Sequence, residues 1–241
     1  MNKYILDDMI TPMLKKEMNM VDYPLPEELR VWEGEHPTRG KVSNRPTRYK
    51  ADKIKRVSVL RHDMGGAFVG SVIMIVGEDE YDFPFVVGDV SFVTGEGGKD
   101  KLFAEFMVKP LVKDEESMTK YVDPLRGWRE AIGKIPAEPV SGFGEAGEII
   151  SAKLLPMEYL YFVPIEYLDQ VLDSAKQFFE IVLDFWRKAE PVKDAERRRK
   201  MKAWRAEYNY HLLEEDPSGI SSVEMYGRER TEFYFNHLVY V

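Results

Sequence analysis

The chain has 241 residues, a net charge of −8, four histidines and no cysteine, with 44% hydrophobic and 32% charged residues. Such a composition fits a soluble globular protein with a substantial core. It excludes disulfides, thiolate catalysis, zinc–thiolate sites and cysteine-held iron–sulfur clusters, and its acidity argues against general nucleic-acid binding. No stretch reaches the roughly 18–20 apolar residues of a membrane span. The first residues, Met1 to Asp8, lack the basic-then-apolar pattern of a secretory signal. A cytoplasmic protein without membrane or nucleic-acid partners is therefore expected, and a monomeric state is compatible with all of this.

In chain order, residues 1–20 place Ile5, Met9 and Met13 at helical spacing and predict a short amphipathic helix. Residues 21–50 contain Pro24, Pro26, Pro37 and Pro46 and read as an irregular connection. A block of strands follows over 55–112: Arg56 to Arg61, Ala67 to Val76, Phe83 to Thr94 and Leu102 to Leu111. Short Gly-rich and acidic links separate them, at residues 64–66, 77–80 and 95–98, so the simplest arrangement is an antiparallel meander. From 116 to 241 the pattern is mainly helical. A helix is predicted over Tyr121 to Ala131, one over Ile165 to Lys188, one over Asp194 to Leu213 with Trp204, Tyr208 and Leu212 on one stripe, and one over Glu229 to Val239. Strands first and helices afterwards predict a single α+β domain over 1–241, with an antiparallel sheet covered by helices.

One residue breaks the pattern of its strand. Asp89 sits among Phe83, Phe85, Val86, Val87, Val90, Phe92 and Val93. Side chains two apart share a face, so Asp89 stands with Phe85, Val87, Ser91 and Val93. Burying an ionised carboxylate costs several kcal/mol, and an unpaired one raises its pKa and stays neutral. Judged on residue type alone, a structural ion pair with a cation from a covering helix is the commoner explanation. A neutral carboxyl facing an apolar cleft is the alternative, and it is what a general acid requires. Asp216, in Asp-Pro-Ser-Gly at the end of a predicted helix, reads by itself as a turn.

The ordered set of motifs carries more than either acid. Tyr81-Asp82-Phe83-Pro84 followed by Gly88-Asp89-Val90 resembles the central strand of the ferredoxin-dependent bilin reductases. Tyr208, Glu215-Asp216, Tyr226-Gly227, Arg228-Glu229-Arg230 and the closing Leu238-Val239-Tyr240 resemble that family's terminal motif. Phe106 to Leu111 is similar to its next strand, and Ile150-Ser151-Ala152-Lys153 to a loop motif. The resemblance covers roughly residues 55 to 241.

It implies an α/β/α sandwich whose central antiparallel sheet is flanked by helices, with an open-chain tetrapyrrole held between sheet and carboxy-terminal helices. It implies no bound cofactor and no metal. Electrons would come singly from ferredoxin to biliverdin, and protons from the protein, with Asp89 and Asp216 as donors. Ser91 and Val87 would line the substrate site, and Lys153 and Arg126 would be anchors for its propionates. Arg197, Arg198 and Lys200 would dock an acidic ferredoxin, against the plainer reading of a solvated helix face.

The family branch that makes phycocyanobilin carries a histidine on the strand before the central aspartate. The corresponding stretch here, Ser71 to Ile75, has none, which points to a two-aspartate enzyme of the phycoerythrobilin-forming type. His62 is expected at a strand end beside the Gly65-Gly66 turn. A red chlorophyll catabolite reductase-like enzyme and a bilin-binding protein without chemistry are the alternatives.

Overall fold

A nine-stranded antiparallel sheet forms the middle layer of the computed structural model, which describes residues 3–36, 40–94, 100–140, 155 and 157–241. In chain order these residues give helix α1 (Ile5–Met18), strands β1 (Val21–Asp22), β2 (Trp32–His36), β3 (Gly40–Ala51), β4 (Ile54–Met64), β5 (Phe68–Gly77), β6 (Phe85–Val93) and β7 (Lys101–Lys109). Helix α2 (Arg126–Ile132), strands β8 (Glu138–Pro139) and β9 (Tyr159–Pro164), and helices α3 (Leu168–Lys188), α4 (Ala195–Glu214), α5 (Pro217–Tyr226) and α6 (Arg228–Leu238) complete it. The strands run in the order β1-β3-β4-β5-β6-β7-β9-β8, with β2 also paired to β3, so β3 to β7 form the expected meander.

Period-2 alternation sorts the sheet into two unlike faces. Val86, Val90 and Phe92 of β6, with Ile73, Ile75, Ala104, Phe106 and Val108, point toward α1, α2 and α3 and build a dry core. The neighbouring residues Phe85 and Val87, with Leu60, Met74 and Val76, point the other way, toward α4 and α6. Helix α3 presses Phe178, Phe179, Val182 and Leu183 on the first face. Gly88 makes room for it: a Cβ there would lie 2.7 Å from the Phe179 ring. The Gly88-Asp89 pair thus seats a helix on one face while the next side chain turns to the other.

Residues 21–50 are irregular only in part, chiefly over 23–31. They contain β2 and the twelve-residue β3. Pro46 is accommodated because β2 pairs with β3 only as far as Asn44 and β1 only from Tyr49. Along the intervening stretch the outer edge of β3 needs no ladder bond, and proline is tolerated at such unpaired positions. Strand β9 is not among the elements expected from the sequence, and the expected turn at 216–219 is the start of α5, a ten-residue helix that Asp216 caps. The predicted helix over 121–131 is broken into π, 3-10 and α turns between Met118 and Ile132, with Pro124 inside. The 95–98 link lies outside the described residues.

On the second face, buried arginines tie the chain's end to the sheet. Arg56 of β4 donates to the carbonyl of Tyr240, and Arg48 of β3 to those of Pro24 and, at 3.2 Å, His237. Each guanidinium thereby caps carbonyls that lack a helical partner at the end of α6. The entrance to β6 is fastened similarly. Buried Asp82 accepts from Arg197 of α4 at 2.7 Å, and Tyr121 donates to the Asp82 carbonyl. The motif Tyr81-Asp82-Phe83-Pro84 is therefore an anchor that fixes where β6 starts.

Candidate active site

Asp89 points from the middle of β6 toward the carboxy-terminal helices and is 6% exposed. It makes no ion pair with any described residue. Its partner is Ser91, two residues on, whose hydroxyl lies 2.5 Å from Asp89 Oδ1. The expected structural ion pair is absent among the described residues, and the neutral-acid alternative fits the surroundings. Burial pushes the Asp89 carboxyl up to about 7, with the Ser91 hydrogen bond acting in the other direction. The group therefore holds its proton through mildly acidic conditions and gives it up near neutrality.

Directly opposite Asp89 on the two neighbouring strands stand Val72 of β5 and Glu105 of β7. Glu105 is half-buried. Burial, followed by the charges of Asp89 and Asp216, raises its carboxyl to about 8, while Lys109 pulls it down. Two carboxyls side by side in one low-dielectric cleft cannot both ionise cheaply. Beyond Glu105, Lys109 grips Glu158 with 2.9 Å contacts to both oxygens, and both side chains are largely buried.

Asp216 is brought to this cleft from the helical side. It caps α5, accepting from the Ser218 amide at 2.9 Å. The turn expected at Asp-Pro-Ser-Gly and a place in the acidic site are thus the same feature. Its charge is felt by Glu105 and by the partly buried Tyr208 of α4, whose phenol is raised well above its ordinary value, chiefly by desolvation. Tyr208 stacks on Trp204 at 4.8 Å and packs against Phe85 of β6.

Two features escape the sequence reading. One is Glu105, which in Phe103-Ala104-Glu105-Phe106 looks like the solvated half of an alternating strand. The other is His62, expected at a strand end. It does lie near the end of β4, two residues before Met64, but it is 8% exposed, with Nε2 2.9 Å from the Ser91 hydroxyl. Burial lowers its pKa to about 4, so the ring is neutral at physiological pH. Phe68 stacks on His62 with centroids 5.1 Å apart, Phe68 meets Phe103 at 5.4 Å, and Phe103 meets Phe162 at 6.0 Å. Phe68, Phe103 and Phe162 are partly exposed, meet edge to face, and line an apolar border beside the acids for a conjugated ligand.

Comparison with known proteins decides the family. The model of the ferredoxin-dependent bilin reductases matches residues 7–240. The chain belongs to that family. It is therefore an oxidoreductase whose class draws electrons from ferredoxin and acts on bilins. The phycoerythrobilin:ferredoxin oxidoreductase of Gloeobacter violaceus is 26% identical over 239 residues, covering 94% of this chain and 90% of that protein. The crystal structure of tomato phytochromobilin synthase in complex with biliverdin superposes with a TM-score of 0.73 at 13% identity, covering 95% of this chain and 79% of that one. That likeness confirms the sandwich fold.

Within the bilin reductase fold, the remaining expected residues separate. Val87 is buried beside Asp89 on the same face, and Ser91 is buried with its hydroxyl engaged by Asp89 and His62. Arg126 is exposed, paired to Asp123 at 3.0 Å, on the helix that packs with α3 against the opposite face of the sheet. It is not brought to the acids. Lys153 lies outside the described residues. Arg197 points inward, donating to Asp82, Asp114, Glu116 and Ser117, because the buried Asp82 carboxylate beneath it needs a close cation and its other one, Lys120, stands off at 3.9 Å. Of the expected docking patch, only Arg198 and Lys200 are exposed. No described helix is long and apolar enough to cross a membrane.

Proposed function

We propose that this bilin reductase reduces biliverdin with electrons from ferredoxin, in the phycoerythrobilin-forming manner, with Asp89 and Asp216 as proton donors. The observation that carries the reading is Asp89 itself. It is a buried carboxyl without an ion-pair partner among the described residues, held near its protonated form on a strand that is apolar apart from Ser91. A structural carboxylate at such a depth would be stabilised by a cation. Asp89 has instead a hydroxyl and a raised pKa, the environment of a proton donor.

Each electron that enters a bilin π-system raises its basicity, so each is matched by one proton. Two single-electron transfers and two protons reduce one double bond, and the oxidised ferredoxin leaves. The chain's share is to bind the tetrapyrrole over Phe68, Phe103 and Phe162, keep water from the radical, and supply protons from opposite sides. Asp89 would act from the sheet and Asp216 from the helices.

Val72 stands where a histidine would face Asp89 across β5. That supports the two-aspartate reading, as does the likeness to the Gloeobacter relative. Arg198 and Lys200 supply exposed positive charge for an acidic partner.

The test is anaerobic incubation of the purified protein with biliverdin, ferredoxin and a ferredoxin-reducing system, followed by absorbance and by chromatography of the product. Conversion to phycoerythrobilin supports the proposal. A different bilin would overturn the product assignment, and a bound but unchanged biliverdin spectrum would overturn the activity on this substrate.

A further inference from the structure

His62, Gly70 and Ser91 lie in one register row across three strands, with His62 opposite Gly70 and Gly70 opposite Ser91. The middle strand would normally separate the outer side chains. Here it carries no side chain in that row, and a Cβ on Gly70 would fall 2.2 Å from Ser91 Oγ. Through this gap the imidazole of His62 reaches across β5 to Ser91 at 2.9 Å, and Ser91 reaches Asp89 at 2.5 Å. Phe68 stacks on the imidazole nearly parallel, 16° between planes, and fixes its orientation. Ordinary packing does not demand this alignment, since a buried serine can return its hydroxyl to its own backbone.

From that geometry we propose that His62 and Ser91 form a hydrogen-bonded relay that positions Asp89 and returns a proton to it after each donation. The inference rests on Asp89 being the donor. The relay has two neutral-ring states. When Asp89 is ionised, His62 Nε2–H donates to Ser91 Oγ, and the Ser91 O–H donates to Asp89 Oδ1. When Asp89 is protonated, both bonds reverse: the Asp89 O–H donates to Ser91 Oγ, and the Ser91 O–H donates to Nε2.

Conversion from the first state to the second moves one proton from Nε2 to Oγ and one from Oγ to Oδ1. One proton enters the ring at Nδ1 from water, so the count balances and the ring never needs to become a buried cation. The chain resets when Nδ1 gives its proton to water and Nε2 takes one up from water, an exchange that consumes no net proton and restores the Nε2–H tautomer. The depressed pKa of His62 agrees with a ring that stays neutral throughout. His62 and Ser91 are positioning residues in this scheme, since neither touches the bilin's reacting atoms.

The experiment compares wild type with Ser91→Ala, His62→Gln and Asp89→Asn in anaerobic single turnovers of bound biliverdin with reduced ferredoxin. Decay of the bilin radical is followed by absorbance, and biliverdin Kd is measured separately. Gln can still donate one hydrogen bond to Ser91, but it cannot pass a proton between two ring nitrogens. Radical decay is expected to slow about 10- to 100-fold in both Ser91→Ala and His62→Gln, within the range general acid catalysis spans, while Kd changes less than about threefold. In an Asp89→Asn background, Ser91→Ala is expected to add nothing, because residues of one network do not act additively.

Wild-type decay in His62→Gln would overturn the relay, and an additive effect in the double variant would overturn action through Asp89. Should Asp89→Asn itself decay like wild type, the donor assignment fails and the relay with it. A blocked Asp89→Asn beside normal single variants would leave the donor standing and reject the relay alone. The infrared carbonyl band of protonated Asp89 gives a second readout that does not require turnover. It is expected to shift in Ser91→Ala, and an unmoved band would contradict the Ser91–Asp89 bond.

Discussion

The two faces of the sheet are built from the same strands, and they solve opposite problems. On one, Val86, Val90 and Phe106 meet Phe178 and Phe179 of α3 in a largely apolar layer, where removal of surface from water is the driving force. On the other, the intervening residues of the same strands put His62, Ser91, Asp89 and Glu105 into one connected polar set. The first face stabilises the fold so that the second can hold groups that oppose it. Functional sites commonly break the local rules that the rest of a chain obeys, and the stability must come from elsewhere.

The largest contrast is expected from truncating each face in turn. Phe179→Ala removes a fully buried ring and should cost about 3–5 kcal/mol by denaturant unfolding, the usual range for such a cavity. Protein that still folds should keep its bilin chemistry. Asp89→Asn should do the reverse, stabilising the substrate-free protein at alkaline pH while abolishing rapid proton delivery.

The sign follows from proton linkage. The folded Asp89 titrates near 7 and the unfolded one near 3.8, so the folded state binds the extra proton between those values. Wild-type stability therefore falls as pH rises from about 4 to about 7, by at most roughly 4 kcal/mol for this group, and Asp89→Asn should flatten that fall. Equal pH slopes in the two proteins would remove Asp89 from the titrating set.

Glu105→Gln tests a neighbour on the same face. Its folded value near 8 extends the same trend, so the variant should gain stability between about pH 5 and pH 8. Because the Asp89 charge raises Glu105, the Glu105 titration should in turn move down in Asp89→Asn, visible in the infrared carbonyl band. The smallest effect belongs to the rim. Arg198→Glu with Lys200→Glu should change stability by no more than about 0.5 kcal/mol, as exposed substitutions do. The same pair should raise the KM for ferredoxin in a salt-dependent way and leave biliverdin Kd untouched.

The sequence shows the first face and strands β4 to β7 well, because Val, Ile and Phe at period 2 between glycine turns leave little freedom. The aspartates were legible for a related reason: an acid in an apolar run has to be explained, and ordered motifs supplied a context for it. What was hidden depends on register. Glu105 alternates with apolar neighbours as any exposed strand residue does, and only pairing with β6 puts it beside Asp89. His62 belongs to a strand separated from Asp89 by another, and the connection requires Gly70 to leave the intervening position empty. Arg197 misled in the opposite direction. A run of Arg197-Arg198-Arg199-Lys200 reads as one basic face, yet helical geometry turns its first member inward onto Asp82. The strand β3 was obscured by Pro46 and by the prolines that precede it, and Pro46 is harmless where no outer neighbour needs its amide.

The central claim is that a proton-holding Asp89 serves the radical formed on the bilin. It is tested most directly by stopped-flow absorbance of the Asp89→Asn protein with bound biliverdin after one electron from reduced ferredoxin. The account predicts that the radical forms at the wild-type rate and then persists at least about a hundredfold longer, the scale of a lost general acid. A radical that decays as fast in the variant as in wild type would contradict it.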